Sequence, residues 1–210
     1  MLKRNGFVFL LVSIVIAAGL WTVMFSPATM PYINFWGTMC VSAIVLLTLT
    51  FFSEIKWWRG WRLDWKSALL GVVLAAGLWA VFWIGDIVSS YLFDFARPQV
   101  DEIYGIRSGI SPVLLSVLLL FLIGPAEEIF WRGYVQKSLS EKLGKNAGVV
   151  VATLVYAGVH IPSWNFMLVM AALTAGAVWG LVYRFWPEKF GAVLVSHALW
   201  DAAVFVWFPL

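Results

Sequence analysis

Seven stretches of apolar residues, each near the length that crosses a lipid bilayer, follow one another with only short polar breaks between them. They fall at about 6–26, 34–53, 67–94, 111–136, 147–161, 165–186 and 190–208. A spanning helix needs roughly 20 mostly apolar residues, so seven of them use nearly the whole chain. The predicted fold is therefore all-α: a polytopic bundle of about seven transmembrane helices, one membrane domain over residues 1–210. The balance of 62% hydrophobic to 12% charged residues leaves no material for a soluble domain of any size.

The placement of the basic residues orients the bundle. Lys3 and Arg4, then Lys56, Arg59, Arg62 and Lys66, then Lys137, Lys142 and Lys145, then Arg184 and Lys189 fall on one side of the predicted spans. The other side has Arg97 and Arg107, and Arg132 lies inside a span. The positive-inside rule then predicts an integral protein of a bacterial inner (cytoplasmic) membrane, N-terminus inside and C-terminus outside. Basic residues confined to short breaks are a topology signal, so no nucleic-acid partner is expected despite a pI near 9.1. The first span follows Lys3 and Arg4 as a signal peptide would, but its apolar run exceeds an h-region and no small-residue cleavage site follows, so a retained helix is expected. Cys40 is the single cysteine, which excludes an intrachain disulfide and a cysteine zinc site.

Two further patterns concern packing. Trp57, Trp61 and Trp65 recur every four residues among Lys56, Arg59, Arg62 and Lys66, which predicts a short interfacial helix anchored among membrane lipids. In the sixth span Ala172, Gly176 and Gly180 form a small-residue ridge against which another helix can pack closely.

Ionisable side chains inside spans are costly in lipid, and each is a candidate for function. The fourth span carries Gly124-Pro125-Ala126-Glu127-Glu128-Ile129-Phe130-Trp131-Arg132. Glu128 and Arg132, four residues apart, share a helical face in the orientation that favours an ion pair. Glu127 is turned about 100° away and keeps no obvious counter-ion, a setting that suits a general base or acid. Pro125 removes a backbone hydrogen bond just before the pair, and the freed carbonyl needs protein or water, so a small water pocket beside Glu127 is expected. A purely structural ion-pair network explains Glu128 and Arg132 but not the second glutamate.

Both histidines lie in spans, His160 at the end of the fifth and His197 in the seventh, with Asp201 one helical turn after His197. At 1.5 Å per residue, Glu127, His160 and His197 lie roughly 15, 20 and 10 Å from the cytoplasmic ends of their spans, close enough to share one cavity. Asp86 in the outer part of the third span and Asp94 at its outer end are further acids, and Asp86 reads either as functional or as a polar helix contact or interface residue.

Taken in order, Glu127-Glu128 with Arg132, Tyr156 with His160, and His197 with Asp201 resemble the three motifs of the CAAX protease and bacteriocin-processing (CPBP) family, which includes the type II CAAX prenyl endopeptidases. The resemblance covers about 111–210. Two positions depart from the commonest pattern, Tyr156 where Phe is usual and Asp201 where Asn is frequent. The resemblance implies an intramembrane peptidase acting on a membrane-bound or lipidated protein or peptide. Glu127 and His160 would activate water, His197 and Asp201 would stabilise the oxyanion, and Glu128, Arg132 and Tyr156 would support them. An ionised Asp201 cannot donate as Asn would, so His197 would carry that role unless Asp201 is protonated.

No cofactor is expected on this reading. The alternative is a zinc ion held by Glu127, His160, His197 and Asp201 around an open water position. Other readings are a haem- or metal-binding module with His160 and His197 as axial ligands, a proton-coupled transporter, and a non-catalytic bacteriocin-immunity factor.

Overall fold

The computed structural model describes residues 4–210, so Lys3, counted above with the basic side, lies outside the described residues. The described chain is helical and contains no strand, and seven of its helices are long and apolar enough to cross a membrane. They are α1 (Arg4–Phe25), α2 (Phe35–Phe52), α3 (Trp65–Leu92), α5 (Pro112–Leu143), α6 (Lys145–Gly158), α7 (Phe166–Phe185) and α8 (Phe190–Ala202, continued by a wider turn to Trp207). A short helix, α4 (Ala96–Gly105), lies between α3 and α5.

Local chemistry sets the boundaries. Asn34, Asp64 and Asn165 cap α2, α3 and α7 by accepting the backbone N–H of Gly37, Ser67 and Leu168 at 2.8, 2.7 and 2.9 Å. The Ser67 N–H holds the Asp64 carboxyl below the ordinary carboxylate range. Gly144, at φ +85°, is the whole link between α5 and α6, a backbone state that a residue with a Cβ seldom adopts.

The helix ends sort as the charge pattern requires. On one face Lys137 Nζ donates to the Lys56 carbonyl at 3.1 Å and Arg184 Nη2 to Asn146 Oδ1 at 2.9 Å. On the other, Arg107 Nη1 reaches the Phe205 carbonyl at 3.1 Å and Trp36 Nε1 the Ile106 carbonyl at 3.0 Å.

The predicted interfacial helix is not formed: residues 53–64 carry turns and extended backbone, and helix resumes at Trp65. Gly60 turns the chain at φ +90°. Trp57 and Trp61 stack with centroids 6.2 Å apart, and Trp61 meets Phe190 edge-on at 5.2 Å. The Trp61 indole donates to the Trp57 carbonyl at 2.9 Å. A helix would have put all three tryptophans on one face. The segment instead crosses the ends of α5 and α8, drawing Trp57 and Trp61 against the bundle and leaving Trp65 exposed. The short helix that does form, α4, is on the opposite face, tied to α7 where Asn165 Nδ2 donates to the Gln99 carbonyl at 2.8 Å.

Close helix approach depends on missing side chains. The Ala172, Gly176 and Gly180 ridge is buried within the bundle. Its carbonyls accept from α5: Arg132 Nη2 to Gly176 at 3.3 Å and Gln136 Nε2 to Gly180 at 2.8 Å, one helical turn apart on each partner. At Gly124 a Cβ would lie 2.9 Å from Ala198 Cα on α8. Gly124→Ala is therefore expected to push α8 outward and destabilise the protein by about 1–3 kcal/mol, read as a lowered thermal midpoint in detergent micelles.

Candidate active site

The glutamate pair stands on a distorted part of α5. Wide π-type turns at Leu119–Ile123 and Ile129–Gln136 flank the regular segment Gly124–Glu128. Pro125 has no N–H to give, and Gly124 N–H reaches back five residues to the Leu119 carbonyl. Such π-bulges re-aim side chains within an otherwise continuous helix.

Glu128 is fully buried, and its Oε1 accepts from Arg132 Nη1 at 2.7 Å and faces His197 Nδ1 at 2.7 Å. The expected Glu128–Arg132 pair is thus present and extends to α8. Arg132 also lies over the rings of Tyr156 at 4.6 Å and Trp179 at 5.4 Å. Among the described residues no cation pairs with Glu127; Tyr156 Oη donates to its Oε2 at 3.2 Å.

His197 lies flat on Trp179, with centroids 4.0 Å apart and planes 16° apart, and the Trp179 indole is held by Ser196 Oγ at 3.0 Å. The second nitrogen of His197, Nε2, is 3.4 Å from Asp201 Oδ2, longer than an ordinary N–H···O bond. His197 therefore bridges two acids, tightly to Glu128 and loosely to Asp201.

His160 closes α6. Its backbone N–H bonds to the Ala157 carbonyl, so the Tyr156 carbonyl loses its helical partner, and the imidazole Nδ1 takes that carbonyl at 2.8 Å. The other nitrogen, Nε2, accepts from the Trp21 indole at 3.1 Å. A turn through Ile161–Ser163 follows, ending at Trp164 with a left-handed φ of 54°.

Glu127, Tyr156, His160, His197 and Asp201 all border one cavity of about 420 Å³. Its remaining walls are mostly apolar and aromatic, with Trp21, Trp36, Met39, Phe82 and Met170 among them and Asp86, Ser89 and Thr174 as polar exceptions. The cavity is lined mainly by residues from the half of each helix that lies away from the basic face, with Trp179 and His197 reaching past mid-span, and it extends past Asp86 and Ser89 to α4 at Tyr104. Asp86 sits near this end, paired with Arg97 at 3.3 Å, as a polar contact between α3 and α4. Asp94 is not among the residues that border it.

Trp21 and Trp179 touch the two histidines directly, yet nothing in the sequence distinguishes them from the other tryptophans among the fourteen. Only the packing of α1 and α7 singles them out. Among the described residues no group of three or more His, Cys, Asp or Glu side chains is arranged to hold a metal ion. The ring nitrogens of the two histidines lie 3.1 Å from the Trp21 indole, 2.8 Å from the Tyr156 carbonyl, 2.7 Å from Glu128 and 3.4 Å from Asp201.

Residues 109–203 match the family model described as type II CAAX prenyl endopeptidase Rce1-like. The stretch spans α5 to α8 and holds both glutamates, Arg132, Tyr156, both histidines and Asp201, while α1 to α4 lie outside it. The match is to a membrane protease family and is consistent with the CPBP resemblance. No curated protein and no solved structure matches the chain.

The two glutamates are expected to separate by stability. Glu128→Ala and Arg132→Met each strand a buried charge and should cost about 3–5 kcal/mol. Glu127→Gln keeps an acceptor for Tyr156 and should unfold near the wild-type temperature, which thermal scans of the purified variants will read.

Proposed function

We propose that this CAAX-protease-type membrane protein is an intramembrane endopeptidase that cleaves a membrane-bound or lipidated peptide by a metal-free, glutamate-dependent route. The observation that carries the proposal is the convergence of Glu127, His160, His197 and Asp201, from α5, the end of α6 and α8, on one apolar-walled cavity. Neither a structural ion-pair network nor axial haem ligation accounts for a glutamate without a cation beside two engaged histidines.

Glu127 and His160 activate a water in the cavity. As its oxygen attacks the peptide carbonyl carbon, a proton passes to Glu127 and the carbonyl oxygen becomes an oxyanion. The loosely held Nε2 side of His197 is the donor available to that oxyanion. An ionised Asp201 cannot donate; it orients the His197 ring from below, while Glu128 and Arg132 fix the opposite nitrogen. Collapse breaks the C–N bond, and the proton taken from water goes to the departing amine.

The position of the cavity bears on the substrate. With the basic face cytoplasmic, the end of the cavity lined by α4 lies toward the exterior, which favours a membrane-anchored peptide presented from the outer leaflet.

The test is cleavage in proteoliposomes of internally quenched peptides, one ending in a farnesylated Cys-aliphatic-aliphatic-X sequence and one apolar and unprenylated. Glu127→Ala and His197→Ala are expected to lose at least about 100-fold in rate, and a chelator is expected to change nothing. Normal cleavage by Glu127→Ala would refute the assignment, and loss of cleavage on chelation would favour zinc.

A further inference from the structure

We infer that Trp21, on α1, is a positioning residue that locks His160 as a neutral imidazole, so that within the proposed peptidase site Glu127 alone receives the proton. The inference deepens the peptidase reading and rests on it for its catalytic part. Its structural part stands on two hydrogen bonds.

An indole N–H can only donate, and a backbone carbonyl can only accept. Trp21 Nε1 lies 3.1 Å from His160 Nε2, so Nε2 must carry a lone pair. The Tyr156 carbonyl lies 2.8 Å from Nδ1, so Nδ1 must carry the proton. The two constraints are independent and select the same tautomer. A protonated imidazole would set an N–H against the indole N–H, and the opposite tautomer would also set a lone pair against the Tyr156 carbonyl. The ring therefore has no free lone pair with which to take a proton from water.

Trp21 is not placed to move aside. It is 1% exposed, its ring meets Trp131 edge-on at 6.0 Å, and it meets His160 edge-on at 6.2 Å. Phe25, one turn further along α1, packs on the other side of His160 at 5.5 Å. Tyr156 links the lock to the base, giving its carbonyl to His160 and its hydroxyl to Glu127. The Glu127 carboxylate accepts one hydrogen bond, from Tyr156, and is the acceptor left at this end of the cavity. Helix α1 lies outside the stretch that matches the family model, so this contact is supplied by the other part of the chain.

The first experiment reads the tautomer in the wild-type protein. ¹⁵N-histidine labelling of the protein in micelles gives two imidazoles, assigned through His197→Gln. His160 is expected as the Nδ1–H tautomer across neutral pH. An Nε2–H or imidazolium signature would overturn the lock.

Trp21→Phe keeps an aromatic ring and removes the donor. It should shift the His160 Nε2 resonance and lower kcat about tenfold with KM unchanged, the scale of one lost positioning hydrogen bond. His160→Gln can still accept from Trp21 and donate to Tyr156 but cannot take a proton, and is expected to lose less activity than Glu127→Gln, which removes the proton acceptor itself. A Gln variant as inactive as Glu127→Gln, or a raised kcat in Trp21→Phe, would show that His160 is a base held in check. Should Glu127→Gln itself cleave normally, the peptidase reading fails while the tautomer result still stands or falls by spectroscopy.

Discussion

A carboxylate and a guanidinium deep in an apolar bundle must be neutralised by protein groups, and the contact of Glu128 with Arg132 meets that demand. Both are essentially without solvent exposure. Unpaired, either charge would be prohibitive there; paired, they still leave a donor on Arg132 and an acceptor on Glu128, and both find partners on other helices. Arg132 takes the Gly176 carbonyl of α7, and Glu128 takes the imidazole of His197 on α8. One ion pair within a single helix therefore registers three helices against each other.

The register leaves Glu127 free of cations. The residues that fix the bundle and those that face the cavity are adjacent in sequence and separate in role. Glu128 faces Arg132 and His197, and Asp201 faces the other nitrogen of His197, so of the three acids Glu127 is the one that none of these partners engages.

Several of these relations were legible in the chain. The spacing of Glu128 and Arg132 needs only a helix, and a π-bulge between them did not break it, because long side chains absorb the change in pitch. The small-residue ridge at Ala172, Gly176 and Gly180 likewise implied close packing. The tryptophans at 57, 61 and 65 misled for a physical reason: their spacing describes a helical face, but a short link that must cover the ends of α5 and α8 gains more by burying two of them than by completing backbone turns. Helix α4 gave no comparable signal, since its order comes from contacts with α3 and α7.

By itself the sequence determined that the chain lies in a membrane as seven helices, which of their ends share a face, and which few charged side chains the lipid would reject. Those are matters of length, hydropathy and spacing, properties carried by each segment alone. Tertiary structure decided which aromatic rings meet the two histidines, that Tyr156 joins Glu127 to His160, and that Trp21 reaches across from α1. Such contacts link residues as far apart as 21 and 160, and no local pattern encodes them, because a tryptophan on an apolar helix looks the same whether it faces lipid or an imidazole.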